Sequence, residues 1–126
     1  MIWWRFLDYV NARGENEISD WICSLPLHAQ AKVDYLLLVL SAWKIWPPQY
    51  VSALKGYKDV CEFRIVASGV QYRPLGCYGP GEREYTLLVG AIEKGGKLPT
   101  GTCETAVERR KIILQDQSRV RDHEFS

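Results

Sequence analysis

The stretch Phe63–Pro74, FRIVASGVQYRP, decides how the chain folds. Ser68-Gly69 at its centre has the composition of a two-residue hairpin turn, with strand-forming residues on either side. Folding the chain there sets Ala67 opposite Val70, Val66 opposite Gln71, Ile65 opposite Tyr72 and Arg64 opposite Arg73. Side chains alternate along a strand, so Phe63, Ile65, Ala67, Val70 and Tyr72 share one face, which reads as core. Glu62, Arg64, Val66, Gln71, Arg73 and Leu75 share the other. Two arginines directly across a ladder repel each other. Either the register differs, or something anionic lies between them.

Working outward, Ile2 to Val10 alternates as a first strand. NARGENE turns the chain into a helix that starts near Glu15 or Asn16 and carries Ile18, Trp21, Ile22 and Leu25 at helical spacing. Pro26 marks a break or the first turn of a second helix, with Ala29, Val33, Leu36, Leu37 and Leu40 as its apolar stripe. That helix runs to about Trp43, and Pro47-Pro48 stops it. Val60 to Ala67 and Val70 to Tyr78 form the hairpin, and GPGE leads into a further strand over Tyr85 to Ile92. After the loop KGGKLPTG, a last helix covers about residues 103–120, with Thr102 as its cap. The expected order is β-α-α-β-β-β-α. This is a single α+β domain over residues 1–126, a small, mostly antiparallel sheet with a helical pair on one face.

The bulk numbers bound the function. With 126 residues, 47% of them apolar and 25% charged, the chain supports one folded domain. The four cysteines stand at 23, 61, 77 and 103, with no CxxC or Cys/His cluster. Reduced thiols in a cytoplasm are therefore expected, with no metal site and no cofactor. Arg5 and Asp8 interrupt the apolar start MIWWRFLDYV, and YLLLVLSAWKIW is too short to span a bilayer, so no membrane association is expected. Net charge is only +1, but residues 55–111 carry ten basic and seven acidic groups. The positive excess lies with the facing arginines.

Four motifs in order resemble a known family. LKGYKDVCEFRI (54–65), GVQYRPLGCY (69–78), LLVGAIEKGGKLP (87–99) and ETAVERRK (104–111) are similar to the strands and closing helix of the RelE/HigB/ParE toxin superfamily, most closely its phage-derived HigB-like branch. The resemblance covers about residues 2–115. It implies a RelE-like, microbial RNase-like fold and a toxin of a type II toxin–antitoxin system. The implied activity is that of an endoribonuclease, a hydrolase in the broad sense, cleaving mRNA on the ribosome. The implied partners are mRNA, the ribosome and a cognate helix-turn-helix antitoxin of HigA-like type. By position, Arg64, Arg73, Lys94 and Lys97 match the family's catalytic cations. Glu93 and Leu98 depart from its lysine-pair and threonine positions. The same fold also serves a ParE-like DNA gyrase inhibitor, and a non-catalytic phage-derived binding module is the third reading.

Metal-independent RNA cleavage uses the neighbouring 2′-OH as nucleophile on the phosphate. It needs in-line placement, a base, an acid and stabilisation of the charge that builds on the phosphorus centre. Arginine suits that last task because its planar fork holds two phosphate oxygens. Glu62, two residues before Arg64, is a candidate base, and a salt bridge to Arg64 is its alternative role. His123 can act only if the tail folds back, and His28 reads as a surface residue. Lys55 and Lys58 are candidates for gripping RNA backbone. The five tryptophans read mainly as core, and ERRK (108–111) as a partner surface or a solvated helix face.

Overall fold

The computed structural model describes residues 2–125. Among them are three helices and seven strands: β1 (Arg5–Tyr9), α1 (Glu17–Ser24), α2 (Leu27–Ala42), β2 (Val51–Ala53), β3 (Cys61–Phe63), β4 (Ile65–Ala67), β5 (Val70–Tyr78), β6 (Glu84–Glu93), α3 (Thr102–Gln115) and β7 (Val120–Asp122). They form an α+β fold around one open sheet of order β2-β3-β5-β6-β1-β7, with β4 also paired to β5. Only β1–β6 is parallel.

The hairpin register is as the sequence implies: Ile65 pairs with Tyr72, Val66 with Gln71 and Ala67 with Val70. Ser68 (φ 48°) and Gly69 (φ 78°) both take the left-handed conformation of a tight two-residue turn. The expected Val60–Ala67 strand is divided, however. Cys61 and Glu62 pair with Gly76 and Leu75, and pairing resumes only at Ile65. The lapse falls where Pro74, which has no N–H to give, comes level with Phe63. Arg64 instead donates its backbone N–H to the Tyr50 carbonyl at 2.8 Å. That bond ties the hairpin to the unforeseen strand β2, which pairs with β3.

Both sheet faces are covered. On one, α1 and α2 bury Ile18, Ile22, Ala29, Val33, Leu37 and Leu40 against Phe6, Phe63, Ile65, Tyr72, Tyr85 and Leu87. Trp46 stands at the centre of this aromatic core, 5.6 Å from the ring of Phe6 and 5.2 Å from that of Tyr85, and its indole N–H donates to the Leu40 carbonyl at 2.8 Å. On the other face α3 packs Ala106 and Ile113 over Leu75, Cys77 and Leu88. The helical pair thus holds one face as expected, and the last helix seals the other.

Helix ends follow local chemistry. Asn16 caps α1, its side-chain oxygen accepting the Ser19 N–H at 2.9 Å. α2 closes at Ala42, ahead of the proline pair, as Trp43 turns extended and its N–H returns to Leu40. Thr102 is not the cap of α3 but its first residue; Gly101, at φ 88°, holds the cap position. The helix also ends at Gln115 rather than near 120. Asp116 accepts from the Ser118 N–H and hydroxyl at 3.0 and 2.6 Å, an Asx turn that redirects the chain into β7.

Candidate functional site

The hairpin face that carries the arginines is the one α3 covers in part. Arg64 lies level with Arg73, because the pairs Glu62–Leu75 and Ile65–Tyr72 bracket them. Each arginine has its own carboxylate. Arg64, half exposed, holds Glu62 at 3.1 Å, and Arg73, buried, lies 3.4 Å from Glu93. These pairs remove the repulsion that the bare register implies.

The two arginines are not equivalent. Arg73 donates to the Tyr72 carbonyl at 3.1 Å and to the Gln71 side-chain oxygen at 2.7 Å. Its Nε, although near Glu93, is buried with no hydrogen-bond acceptor among the described residues. The 3.4 Å contact is therefore electrostatic only. A buried guanidinium with a donor unspent is costly, and its positive potential at this face favours an anion beside accessible Arg64. Arg64 is the accessible cation and Arg73 the anchored one. Gln71 and Glu93, which fix Arg73 from β5 and β6, went unnoticed as site residues. The hairpin arithmetic set Gln71 on the arginine face, whereas Glu93 comes level with it only through the β5–β6 register, which the Ser68-Gly69 turn does not reveal.

The other candidates divide. Lys94 and Lys97 bracket a Gly95-Gly96 turn and pair with each other through their main chains at 2.9 and 3.1 Å. Strand alternation sets Lys94 with Gly90 and Ile92, on the side where Trp21 packs. Both lysines are exposed, and with Trp21 and Ile92 they line a shallow hollow there. They do not converge with the arginines on one face. Lys55 and Lys58 are exposed in the β2–β3 loop, steadied by the Tyr57 hydroxyl donating to Glu104 at 2.5 Å. That bond holds the Glu104 carboxyl below its usual range and raises the Tyr57 hydroxyl. Glu62 is mostly buried, and Cys103, on the first turn of α3, lies within its electrostatic reach. Burial, then Glu104 and Glu62, push the Cys103 thiol up, so it is no activated nucleophile.

The tail does fold back, though to the other end of the sheet. β7 pairs with β1, and buried His123 places Nδ1 2.8 Å from Asp8 Oδ1. Asn16 donates to the second Asp8 oxygen at 2.9 Å. His123 is thus separated from the arginines by β6 and β1 and takes no part in their site. A hollow of about 760 Å³ also lies at that far edge, bordered by Arg5, Asp8, Asn16 and Arg121. Its mixed charges select no ligand. His28 is exposed. ERRK is largely structural: Arg109 bonds the Leu88 carbonyl and Glu17, each at 2.7 Å, and Arg110 reaches Asp59 at 3.5 Å.

Comparison of the chain with protein-family models, curated proteins and solved structures found no match. No helix among the described residues is long and apolar enough to cross a membrane.

Proposed function

We propose that the chain is a metal-independent RNA endonuclease of RelE-like topology, the toxin of a toxin–antitoxin pair. Its reacting phosphate would sit at the Arg64–Arg73 face. The observation that supports this most is accessible Arg64, level with buried Arg73 and flanked by Glu62 and Glu93, a cationic face whose inner arginine has a donor unspent among the described residues. Arg64 contacts the phosphate and stabilises its developing charge. Arg73 positions Gln71 and Glu93 and adds positive potential from beneath. Glu62, released from Arg64 as the phosphate takes over the pairing, accepts the 2′-OH proton. The 2′ oxygen then bonds to phosphorus as the bond to the 5′ oxygen breaks, and the departing 5′ oxygen takes a proton from water, leaving a cyclic phosphate and a 5′-OH. Lys94 and Lys97, at the sheet's end, grip flanking backbone and do not take part in the chemistry. Lys55 and Lys58 do the same from the β2–β3 loop.

One observation favours a second reading. Arg73 is held on several sides, as a structural arginine would be. A binding module of the same fold, ParE-like or phage-derived, needs no more than that.

Purified protein with mRNA, free and on translating ribosomes, in the presence of chelator separates the two. The nuclease reading expects 5′-OH fragments, and Arg64→Ala should lower the cleavage rate about 10²–10³-fold. Intact RNA under every condition would leave the binding module.

A further inference from the structure

The two arginines of the hairpin are each neutralised by a carboxylate; the two lysines at the end of β6 are not. Lys94 and Lys97 face each other across the Gly95-Gly96 turn, their main chains bonded in both directions at 2.9 and 3.1 Å. Both glycines take positive φ, 58° and 75°, which makes the turn tight and sets the lysines opposite each other. Side chains directly opposite project to one side of a ladder, and two like charges so placed destabilise it. Among the described residues neither lysine makes an ion pair. Their repulsion stands unrelieved.

The hollow that they border also holds an aromatic ring. Trp21 reaches it from α1, half-buried, with its indole against the bare main chain of Gly90. A Cβ at Gly90 would stand 2.1 Å from the ring, so only glycine lets the indole seat there. Tyr72 meets the same ring at 66°, centroids 6.5 Å apart. The indole is thus fixed on the sheet before any ligand arrives, and its remaining surface borders a space of about 640 Å³, enough for a small ligand. No carboxylate lines that space; Lys94 and Lys97 are its only charges, and Thr100 is exposed at its rim. A fixed aromatic plane beside two unneutralised cations suits a ligand that is flat at one end and anionic at the other.

We propose that this hollow binds one nucleotide, its base laid against the Trp21 ring and its phosphate held between Lys94 and Lys97. Every base has a π face, so the stacking is tolerant of sequence, and lysine ammonium groups hold phosphate as point charges. Trp21 packs on the α1–α2 side of the sheet, whereas the arginine face is the one that α3 covers in part, so the two sites are separate. The subsite stands on its own geometry. Under the nuclease reading it seats a nucleotide flanking the cleaved bond, and that consequence alone rests on that reading.

NMR titration of the intact, isotope-labelled protein tests it. The probes are adenosine 5′-monophosphate, inorganic phosphate, and a single-stranded 2′-O-methyl RNA hexamer, which offers no 2′-OH for cleavage. The Trp21 indole signal is identified by its loss in Trp21→Phe. The expected result is a saturable shift of that signal together with the Gly95 and Gly96 amides on adding the hexamer or the monophosphate. Combining Lys94→Ala with Lys97→Ala should weaken this binding at least about tenfold; both lysines are exposed, so that variant keeps the fold. A response to the hexamer alone assigns the site to a strand, and an equal response to the monophosphate assigns it to a free nucleotide; either upholds the site. Inorganic phosphate matching the monophosphate with the Trp21 signal unmoved, binding indifferent to the lysine variant, or no shift at all would overturn it. Hexamer binding as expected by a protein that leaves mRNA intact upholds the subsite and defeats the nuclease. Cleaved mRNA with an unmoved Trp21 signal does the reverse.

Discussion

At the scale of single residues, the division of labour between the two arginines is the point to test. Arg64 is half exposed and its partner Glu62 mostly buried, so Arg64→Ala should cost about 1 kcal/mol of stability, less than the loss of buried Arg73. Arg73→Ala removes a buried cation bonded to Gln71 and Tyr72 and should cost about 2 kcal/mol or more. Denaturant unfolding beside RNA cleavage checks this: Arg64→Ala loses activity with most of its stability kept, and Arg73→Ala loses both. Equal stability losses would contradict the assignment. Gly76 offers a test of the core. An added Cβ would overlap the Tyr85 ring and stand 2.5 Å from the Thr86 carbonyl oxygen. Gly76→Ala should therefore destabilise by about 2 kcal/mol or more, seen as a lowered unfolding midpoint. The thiols give a third. Burial first of all pushes the Cys77 thiol up to about 11, so at neutral pH it stays protonated and inert, whereas Cys23 is exposed. Iodoacetamide followed by mass spectrometry should label Cys23 in the native protein and Cys77 only on unfolding.

At the scale of elements, the sequence was most legible where periodicity and turn chemistry agree. Ser68-Gly69 set the register, and with it the core face of Phe63, Ile65, Ala67 and Tyr72. Asn16 and the Ile18–Ile22 spacing placed α1 for the same reason. What escaped reading was short or long-range. β2 and β7 have three residues each, too few to show alternation, and each exists through its partner, β2 across a loop from β3 and β7 beside distant β1. The split at Arg64 had a visible cause in Pro74, a proline inside a strand that is paired on both sides. The burial of Arg73 had none, since strand alternation gives a face but not what lies over it. β7 makes a prediction of its own. Arg119 bonds the Val10 carbonyl and the Tyr9 hydroxyl at 3.0 and 2.8 Å, and His123 satisfies buried Asp8. Ending the chain after Gln117 strands that carboxylate and should cost about 3 kcal/mol or more, read from urea unfolding. Because the lost contacts lie at the edge remote from the arginines, whatever fraction remains folded should still cleave RNA.

At the scale of the whole molecule, one open sheet separates two tasks. The β1–β7 edge, with Asp8, Asn16 and His123, closes the fold, and the β3–β4–β5 end presents the arginines beside an apolar groove. A net charge of +1 gives little general attraction for RNA, so under the nuclease proposal recognition would rest on local cations. The central claim is that these cations serve cleavage, and brief induction in a bacterial host with mapping of transcript 5′ ends tests it most directly. Wild type should arrest growth and generate new mRNA 5′ ends. Arg64→Ala, folded and equally abundant, should abolish both. Arrest with intact transcripts and damaged DNA, or new ends that persist in Arg64→Ala, would contradict the account.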